Sequence, residues 1–401
     1  MGDNTCAKGY TEERCAQCCD RKFGRLSSGE KNPTCWNEDR TEQLLYYRLY
    51  GKCAKCPDNI LWLLIGGLCA LVMIVLVGWR MHKKKVDLAI FSIGVDYFQV
   101  LAVFANTEVE WPESVRQVFK YMSLVNFNIN VTPPECAFVV SYKVKWMVIE
   151  WFPTVLFGTV VTVYAASFVF FRYCANQNTR KVRDFRNNLI AGSLLIMYVL
   201  YLNISENTLD PMNCKRIENP DDGTKTEEQF MISQPSEVCW QDKDTSGGQP
   251  LQQELFPYSV AFFIIYTIGY PALVASILLR PENQLKAYND QLLRCMGTGS
   301  KKATNRAYFN FRSKFATLYF KFKPKFFWWI LLIILRKLCI VTFTLLFHIN
   351  ATMQLSMILL VIFLSYTAQV KYSPYLGRAD YAEILGDLEQ DEYDGLVGPC
   401  K

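Results

Sequence analysis

Seven apolar runs divide this chain of 401 residues, and they decide what it can fold into. The clearest run, 60–79, is twenty residues long and holds no charged side chain. An α-helix rises about 1.5 Å per residue, so this run is about 30 Å long, the thickness of a bilayer's hydrocarbon core. The other runs cover 88–106, 146–171, 186–203, 256–279, 326–347 and 352–369. The sequence therefore predicts an all-α polytopic membrane protein with a seven-transmembrane helix bundle over 59–372.

Lysine and arginine concentrate beside alternate ends of these runs. The segment 280–325 holds eleven basic and two acidic residues, whereas 204–255 holds four basic and eleven acidic ones. Because positively charged loops stay in the cytoplasm, we expect the loop 280–325 inside and the acidic loop 204–255 outside. The N-terminus would then be extracellular, and the acidic tail 373–401 would be cytoplasmic.

Ten of the fifteen cysteines fall on the predicted external side: Cys6, Cys15, Cys18, Cys19, Cys35, Cys53, Cys56, Cys136, Cys214 and Cys239. Seven of them crowd into residues 1–58, which are too few to bury an adequate core. We therefore predict an extracellular cysteine-rich module held by disulfides, which form in oxidising compartments. Because seven is odd, one of these cysteines is expected to pair with Cys136, which leaves Cys214 to pair with Cys239.

One alternative to disulfides remains open for this module, and so does the order in which its cysteines pair. Zinc coordination by Cys15 and Cys18 together with Cys53 and Cys56 would also suit the two C-x2-C pairs. The remaining disulfide connectivity cannot be derived from the spacing alone.

The sequence contains few motifs that have a known chemical function. Asn130 begins an Asn-Val-Thr sequon on the predicted external side and is the glycosylation candidate. The sequence has no P-loop, no dinucleotide fingerprint, no H-E-x-x-H and no G-x-S-x-G motif, and its two histidines lie at opposite predicted membrane edges. We expect no catalytic residues, no metal and no cofactor, and a protein that is not an enzyme.

Three charged side chains lie in the middle of predicted helices: Asp96 in the second, and Arg336 and Lys337 in the sixth. An ionised side chain in hydrocarbon costs about a few kcal/mol, so such residues face the bundle interior or a water-filled cavity. The acid and the two bases share a similar predicted depth, which allows a buried ion pair. A functional site and a structural ion pair both remain open.

Basic and aromatic residues alternate before the sixth run, with Lys321, Lys323 and Lys325 followed by Trp328 and Trp329. Basic side chains attract anionic headgroups, and tryptophan prefers the membrane interface. We expect this cytoplasmic segment to bind anionic lipids of the bilayer, and we expect no nucleic acid as a partner.

Several motifs resemble those of TRP-like (transient-receptor-potential-like) membrane proteins of algae, oomycetes and other protists, in which a cysteine-rich ectodomain precedes the helices. The run Tyr97-Phe98-Gln99-Val100 resembles the Y-x-Q-V of their second helix, and Trp111-Pro112 with Cys136 resembles their next external segment. A later block is similar through Trp328-Trp329, Arg336-Lys337, Gln354 and Pro374-Tyr375. The chain departs from the family pattern at Ile330, where an acidic residue usually follows the aromatic pair.

The resemblance implies a cation-channel or mechanosensory protein of the plasma or ciliary membrane, or a subunit of such a channel within a homo-oligomer or larger membrane assembly. Two other classes fit the predicted topology. One is a membrane anchor or assembly subunit whose module binds an extracellular protein partner. The other is a receptor of the G-protein-coupled type, since Phe171-Arg172-Tyr173 falls at the cytoplasmic end of the third predicted helix.

Overall fold

The computed structural model describes residues 6–11, 15, 17–20, 31–37, 39, 41–49, 52–56, 89–105, 111–112, 114–115, 117–118, 136, 140–173, 179–217, 228–240, 251–295, 305 and 307–376. Three predicted features lie outside these residues: the first span at 60–79, the sequon at Asn130 and the tail beyond residue 376.

Long apolar helices dominate the described residues. Five are long and apolar enough to cross a membrane, over Tyr142–Val169, Phe185–Met212, Leu251–Leu278, Trp329–Leu346 and Ala351–Tyr372. They coincide with the third to seventh predicted spans, so this is an integral membrane protein. The second predicted span forms a shorter apolar helix of 17 residues, Ala89–Ala105.

The helices in chain order are α1 (Ala89–Ala105), α2 (Tyr142–Tyr173), α3 (Thr179–Leu209), α4 (Leu251–Phe262), α5 (Gly269–Leu278), α6 (Pro281–Cys295), α7 (Phe309–Tyr319), α8 (Trp329–Leu346) and α9 (Ala351–Tyr372). A π-helical segment, Phe263–Ile268, joins α4 to α5. Turns of 3-10 helix lie at Asp210–Met212 and Pro324–Phe326.

Two segments predicted as loops are more structured than expected. The acidic segment 204–255 is helical at both ends and contains a hairpin, and the basic segment 280–325 contains α6 and α7. In α6 the residues Ala287, Asp290 and Gln291 are buried, while Glu282 and Leu285 are exposed. Because positions three and four apart share a helical face, this pattern is an amphipathic helix whose buried side is partly polar. Because most residues of α6 are polar, hydrophobic periodicity does not reveal this buried face in the sequence.

The described strands form three short antiparallel hairpins: β1 (Tyr10–Thr11) with β2 (Gln17–Cys18), β3 (Tyr46–Leu49) with β4 (Lys52–Lys55), and β5 (Cys214–Ile217) with β6 (Glu228–Met231). In the third hairpin, Cys214 lies opposite Met231. Two-stranded hairpins of this length are marginal in water, so covalent bonds have to hold them.

Five disulfides supply those bonds: Cys6–Cys15, Cys18–Cys53, Cys19–Cys35, Cys56–Cys136 and Cys214–Cys239. The predicted pairing of one module cysteine with Cys136 is confirmed, and so is that of Cys214 with Cys239. Each of the four cysteines proposed for zinc lies in a disulfide. The zinc alternative is therefore wrong, because zinc needs free thiolates.

The chain divides into two compact units. The first unit comprises Met1–Trp151, Leu202–Ile264 and Val341–Met357, and the second comprises Phe152–Tyr201, Ile265–Ile340 and Ile358–Lys401. All five disulfides belong to the first unit. The second unit has a hydrophobic core that includes Tyr270, Phe311, Tyr319, Trp329 and Ile334.

A proline explains the irregular middle of the fifth predicted span. Pro271 has no N–H, so the carbonyl oxygen of Thr267, four residues earlier, loses its usual helical partner. The hydroxyl of Tyr201 donates a hydrogen bond to this oxygen at 2.9 Å. The π-helical segment ends at Ile268, beside this position, which fits the tendency of helices to deform near an interrupted hydrogen-bond ladder.

Candidate functional site

Polar residues follow one face of α2, at Tyr142, Trp146 and Glu150. Residues four apart in a helix lie on the same face. The hydroxyl of Tyr142 donates to Oδ2 of Asp210 at 2.6 Å, and Nε1 of Trp146 donates to the carbonyl oxygen of Asn207 at 2.9 Å. This face of α2 is therefore fastened to the end of α3 by hydrogen bonds.

Glu150 is completely buried within the first unit. Its Oε2 lies 3.0 Å from Oγ1 of Thr208 on α3, and its Oε1 has no hydrogen-bond partner. The carbonyl oxygen of Thr208 in turn accepts a hydrogen bond from the hydroxyl of Ser259 on α4. The carboxyl group therefore lies in a polar cluster to which α2, α3 and α4 all contribute.

An ion pair joins α2 directly to α4. Lys143 pairs with Glu254, and their side chains are 40% and 39% exposed. Exposed pairs of this kind contribute about 0–1 kcal/mol. The neighbouring ring contact between Trp146 and Phe262, with centroids 6.0 Å apart, packs the same two helices together. The helix that carries Glu150 is therefore joined to α4 by a half-exposed ion pair and by an aromatic contact.

Sequence reasoning missed Glu150. It lies four residues after the start of the predicted run 146–171, close enough to the edge to resemble an interfacial charge. The spacing of Tyr142, Trp146 and Glu150 was the available signal, because it puts an acid on the face that a buried tryptophan occupies. An acid on such a face inside a membrane-spanning helix is a functional-site hypothesis by default.

The predicted intramembrane charges fall in both units. Asp96 is 5% exposed and belongs to the first unit, whereas Arg336 and Lys337 belong to the second. Lys337 is completely buried; its Nζ lies 3.4 Å from the carbonyl oxygen of Tyr198 and 4.0 Å from the centre of that ring. Arg336 is half-buried. The proposed ion pair between Asp96 and either base stays a prediction.

The predicted lipid-binding segment is only partly at the surface. Lys325 is exposed, whereas Lys321 and Lys323 are half-buried. Trp329 is a core residue rather than a lipid-facing one, because it begins α8 on the face that continues with Ile330 and Ile333. Trp328 is half-buried.

The segment after α9 pairs with the segment before α8. The N–H of Lys323 donates to the carbonyl oxygen of Pro374 at 2.8 Å, and the N–H of Leu376 donates to that of Lys321 at 3.1 Å. The rings of Phe322 and Tyr375 lie 5.3 Å apart between these two bonds. The Pro374-Tyr375 motif therefore joins the end of α9 to the segment before α8 within the second unit.

A second buried acid, Asp290 of α6, is fully partnered in the second unit. The hydroxyl of Tyr319 donates to its Oδ2 at 2.8 Å, the side-chain amide of Asn305 donates to its Oδ1, and Nε of Arg312 lies 3.7 Å from Oδ2. Burial, and then the neighbouring Asp290, raise the pKa of the Tyr319 phenol well above its ordinary value. The phenol therefore stays a hydrogen-bond donor, and this cluster holds α6 against α7.

The hairpin β5–β6 connects the cysteine-rich module to the helices within the first unit. In the segment that follows β6, Nε2 of Gln234 donates to Oε1 of Gln17 at 2.8 Å. At its base, the side chain of Gln252 on α4 donates to the carbonyl oxygen of Pro211 at 3.1 Å and accepts from the N–H of Trp240 at 2.8 Å.

A further contact reaches the turn between α8 and α9. There, Nε2 of His348 lies 2.9 Å from the carbonyl oxygen of Cys214. The disulfide Cys214–Cys239 closes the hairpin between these contacts. A continuous chain of bonds therefore runs from the module through the hairpin to α4 and to the turn after α8.

No protein-family model matches this chain, and no curated protein or solved structure is detectably similar to it. Function has to be argued from the sites themselves.

Proposed function

We propose that this chain is a sensory membrane protein of the cation-channel type, or a subunit of one, whose disulfide-rich extracellular module is coupled to its transmembrane helices. The segments that flank the hairpin β5–β6 are the observation that supports this function most directly: Gln234, after β6, bonds to Gln17 in the module, and Pro211, before β5, bonds to Gln252 on α4. A membrane anchor needs only a flexible connection between its binding module and its helices. Hydrogen bonds to both the module and a helix are what a sensor requires.

The proposed topology has seven spans, an extracellular N-terminus and a cytoplasmic C-terminus, in the plasma or ciliary membrane. It is supported by the distribution of cysteines: the ten that form disulfides in the described part of the chain all belong to the first unit, and the free Cys339 is in α8. Disulfides mark an oxidising compartment. Lys321, Lys323 and Lys325 belong to the second unit and are proposed to contact anionic lipid on the cytoplasmic side.

Buried acids favour a channel over a receptor. Asp96 and Glu150 come from two different apolar helices, and both are buried in the first unit. Acids inside a membrane-spanning bundle commonly mark ion paths. The acidic segment 204–255 would raise the local cation concentration at the external end of such a path. In a channel, further copies of the chain would complete the pore, so a homo-oligomer is part of the proposal.

The test is cation flux from liposomes that contain the purified protein. Trapped fluorescent indicators for potassium or calcium would report flux while osmotic swelling stretches the membrane. We expect tension-dependent flux from the wild-type protein and a weaker tension dependence in Gln234→Ala, because that substitution removes the 2.8 Å bond to Gln17 and leaves only the 3.4 Å contact with Ser236. Gln229→Ala is the matched control in the same hairpin, since it leaves the bond between Gln234 and Gln17 intact.

Flux no greater than that of protein-free liposomes, with or without tension, would overturn the channel. If Gln234→Ala and Gln229→Ala conduct alike, the channel stands and the coupling through the hairpin is refuted.

A further inference from the structure

We infer that Glu150 is an intramembrane proton-binding site, and that its carboxyl group carries a proton on Oε2 in this structure. The inference stands whether or not the chain conducts cations. It rests on the count of hydrogens available around Glu150, on the lack of a partner for its other oxygen, and on a comparison with Asp290.

The first argument concerns the hydroxyl of Thr208. Its Oγ1 lies 2.7 Å from the carbonyl oxygen of Ile204 and 3.0 Å from Oε2 of Glu150. A hydroxyl owns one hydrogen, and a carbonyl oxygen owns none. The shorter contact takes the hydroxyl hydrogen. The longer contact is then a hydrogen bond only if Glu150 supplies the second hydrogen, and it can do so only as a neutral carboxylic acid.

The second argument concerns Oε1 of Glu150. This atom is buried and has no hydrogen-bond partner. An ionised carboxylate would leave half of its charge unsolvated there, and the desolvation penalty exceeds what one hydroxyl hydrogen bond returns. In the neutral acid the same atom is a carbonyl oxygen, for which burial is far less costly.

Asp290 shows how the same chain surrounds another buried acid with hydrogen-bond donors and a cation. Three groups surround it: the phenol of Tyr319, the amide of Asn305 and the guanidinium of Arg312. Both of its oxygens accept hydrogen bonds, and a cation lies 3.7 Å away. Glu150 has one contact and one bare oxygen instead. The donors and the cation that would stabilise an ionised carboxylate are therefore missing from the described contacts of Glu150.

The charged groups around Glu150 agree with this assignment. Asp210 is the acidic group that faces it from the end of α3, and Asp210 is itself bound by Tyr142 of α2 and by Ser233 and faced by Lys145. An ionised Asp210 would disfavour a second negative charge at Glu150, because like charges repel.

From α4, the cluster receives the hydroxyl of Ser259, and the acid Glu254 of that helix is engaged with Lys143. Lys143 of α2 is therefore engaged with another acid. Loss of the proton from Glu150 would remove the hydrogen that it donates to Thr208, and Thr208 would have to turn its own hydroxyl hydrogen from Ile204 to Glu150 to keep the contact between α2 and α3.

Infrared difference spectroscopy tests the inference on the whole protein in lipid. A neutral carboxylic acid has a C=O stretching band separate from the bands of a carboxylate, and the band shifts in D2O. We expect one such band at neutral pH, lost in Glu150→Gln and retained in the control Glu254→Gln. Glutamine keeps a donor toward Thr208, so this variant preserves the hydrogen bond of the neutral acid.

Isotope labelling makes the test independent of any variant. Carbon-13 in every glutamate carboxyl of the wild-type protein should shift the acid band, which separates glutamate from aspartate. If the wild-type protein has no glutamate acid band at neutral pH, the inference is overturned. It is overturned equally if Glu150→Gln leaves the acid band in place and lowers only the carboxylate bands.

Discussion

Asp290 and Glu150 are both buried acids, but they differ in the number and kind of their hydrogen-bond partners. Asp290 accepts hydrogen bonds at both oxygens and has Arg312 beside it, whereas Glu150 has one contact with Thr208. The first arrangement stabilises a charge, and the second suits a neutral group. The number of donors therefore distinguishes the two environments.

Replacing Asp290 by asparagine should destabilise the protein by about 2–4 kcal/mol. The change leaves Arg312 without its charge partner, and the Arg312 side chain is only 13% exposed. Thermal and denaturant unfolding of the protein in detergent measure the loss.

Glu282→Gln is the matched control in the same helix. Glu282 is 86% exposed and pairs with Lys286 at 3.5 Å, so the loss should stay below about 0.5 kcal/mol. Equal losses for the two variants would contradict the role given to Asp290.

Sequence alone could identify some of these charges and not others. Asp96 and Lys337 are buried, as the cost of a charge in hydrocarbon predicts, because each lies deep in an apolar run. The burial of Asp290 could not be predicted, since it lies in a polar segment and its partners Asn305 and Tyr319 are 15 and 29 residues away in the chain. Partners at such separations are set by tertiary packing, which no local pattern encodes.

At the scale of elements, the π-helical segment between α4 and α5 depends on a tyrosine from another helix. Pro271 leaves the carbonyl oxygen of Thr267 without a backbone donor, and Tyr201 replaces that donor. Because Tyr201 is only 1% exposed, water does not compete with its hydroxyl for the carbonyl oxygen of Thr267.

Tyr201→Phe should therefore cost about 1 kcal/mol of stability, and less in a protein that also carries Pro271→Ala. The second substitution restores a backbone N–H at position 271 that can bond to Thr267. A double-mutant cycle of thermal unfolding measures the coupling. Additive losses would show that the tyrosine does not act through this carbonyl oxygen.

The hairpin β5–β6 should depend on its disulfide. Cys214 and Cys239 are 25 residues apart, and closing a loop of that length contributes about 3 kcal/mol in the chain-entropy model. Replacing both cysteines by serine should speed hydrogen exchange of the strand amides, while amides in the middle of α8 keep their protection. Unchanged exchange in the strands would mean that Gln252 and His348 hold the hairpin without the covalent bond.

Elements followed from the sequence where hydrophobic periodicity was strong. The third to seventh predicted spans correspond to long helices, although 186–203 belongs to the longer α3. The helix α6 was missed because its buried face includes Asp290 and Gln291, residue types that are usually exposed to solvent. The helix α7 was missed because basic residues, among them Arg312, alternate with its buried aromatic residues Phe311 and Tyr319. The five-disulfide pattern followed from cysteine parity, but the pairs inside the module required the fold.

At the scale of the whole molecule, the proposed sensor depends on which side of the membrane each unit's cysteines face. The ten oxidised cysteines belong to the first unit. Cys295 and Cys400 lie in the predicted cytoplasmic segments 280–325 and 373–401, and Cys174 follows the cytoplasmic end of the third predicted helix, so we predict these three on the reducing side. The external module can sense the surroundings only if that arrangement holds.

Thiol labelling of intact cells tests this arrangement most directly. A membrane-impermeant maleimide is applied before or after permeabilisation, and labelled peptides are identified by mass spectrometry. We predict that Cys174, Cys295 and Cys400 react only after permeabilisation, and that Cys214 and Cys239 react only after reduction. Labelling of Cys295 in intact cells would contradict the proposed topology and, with it, the external sensor.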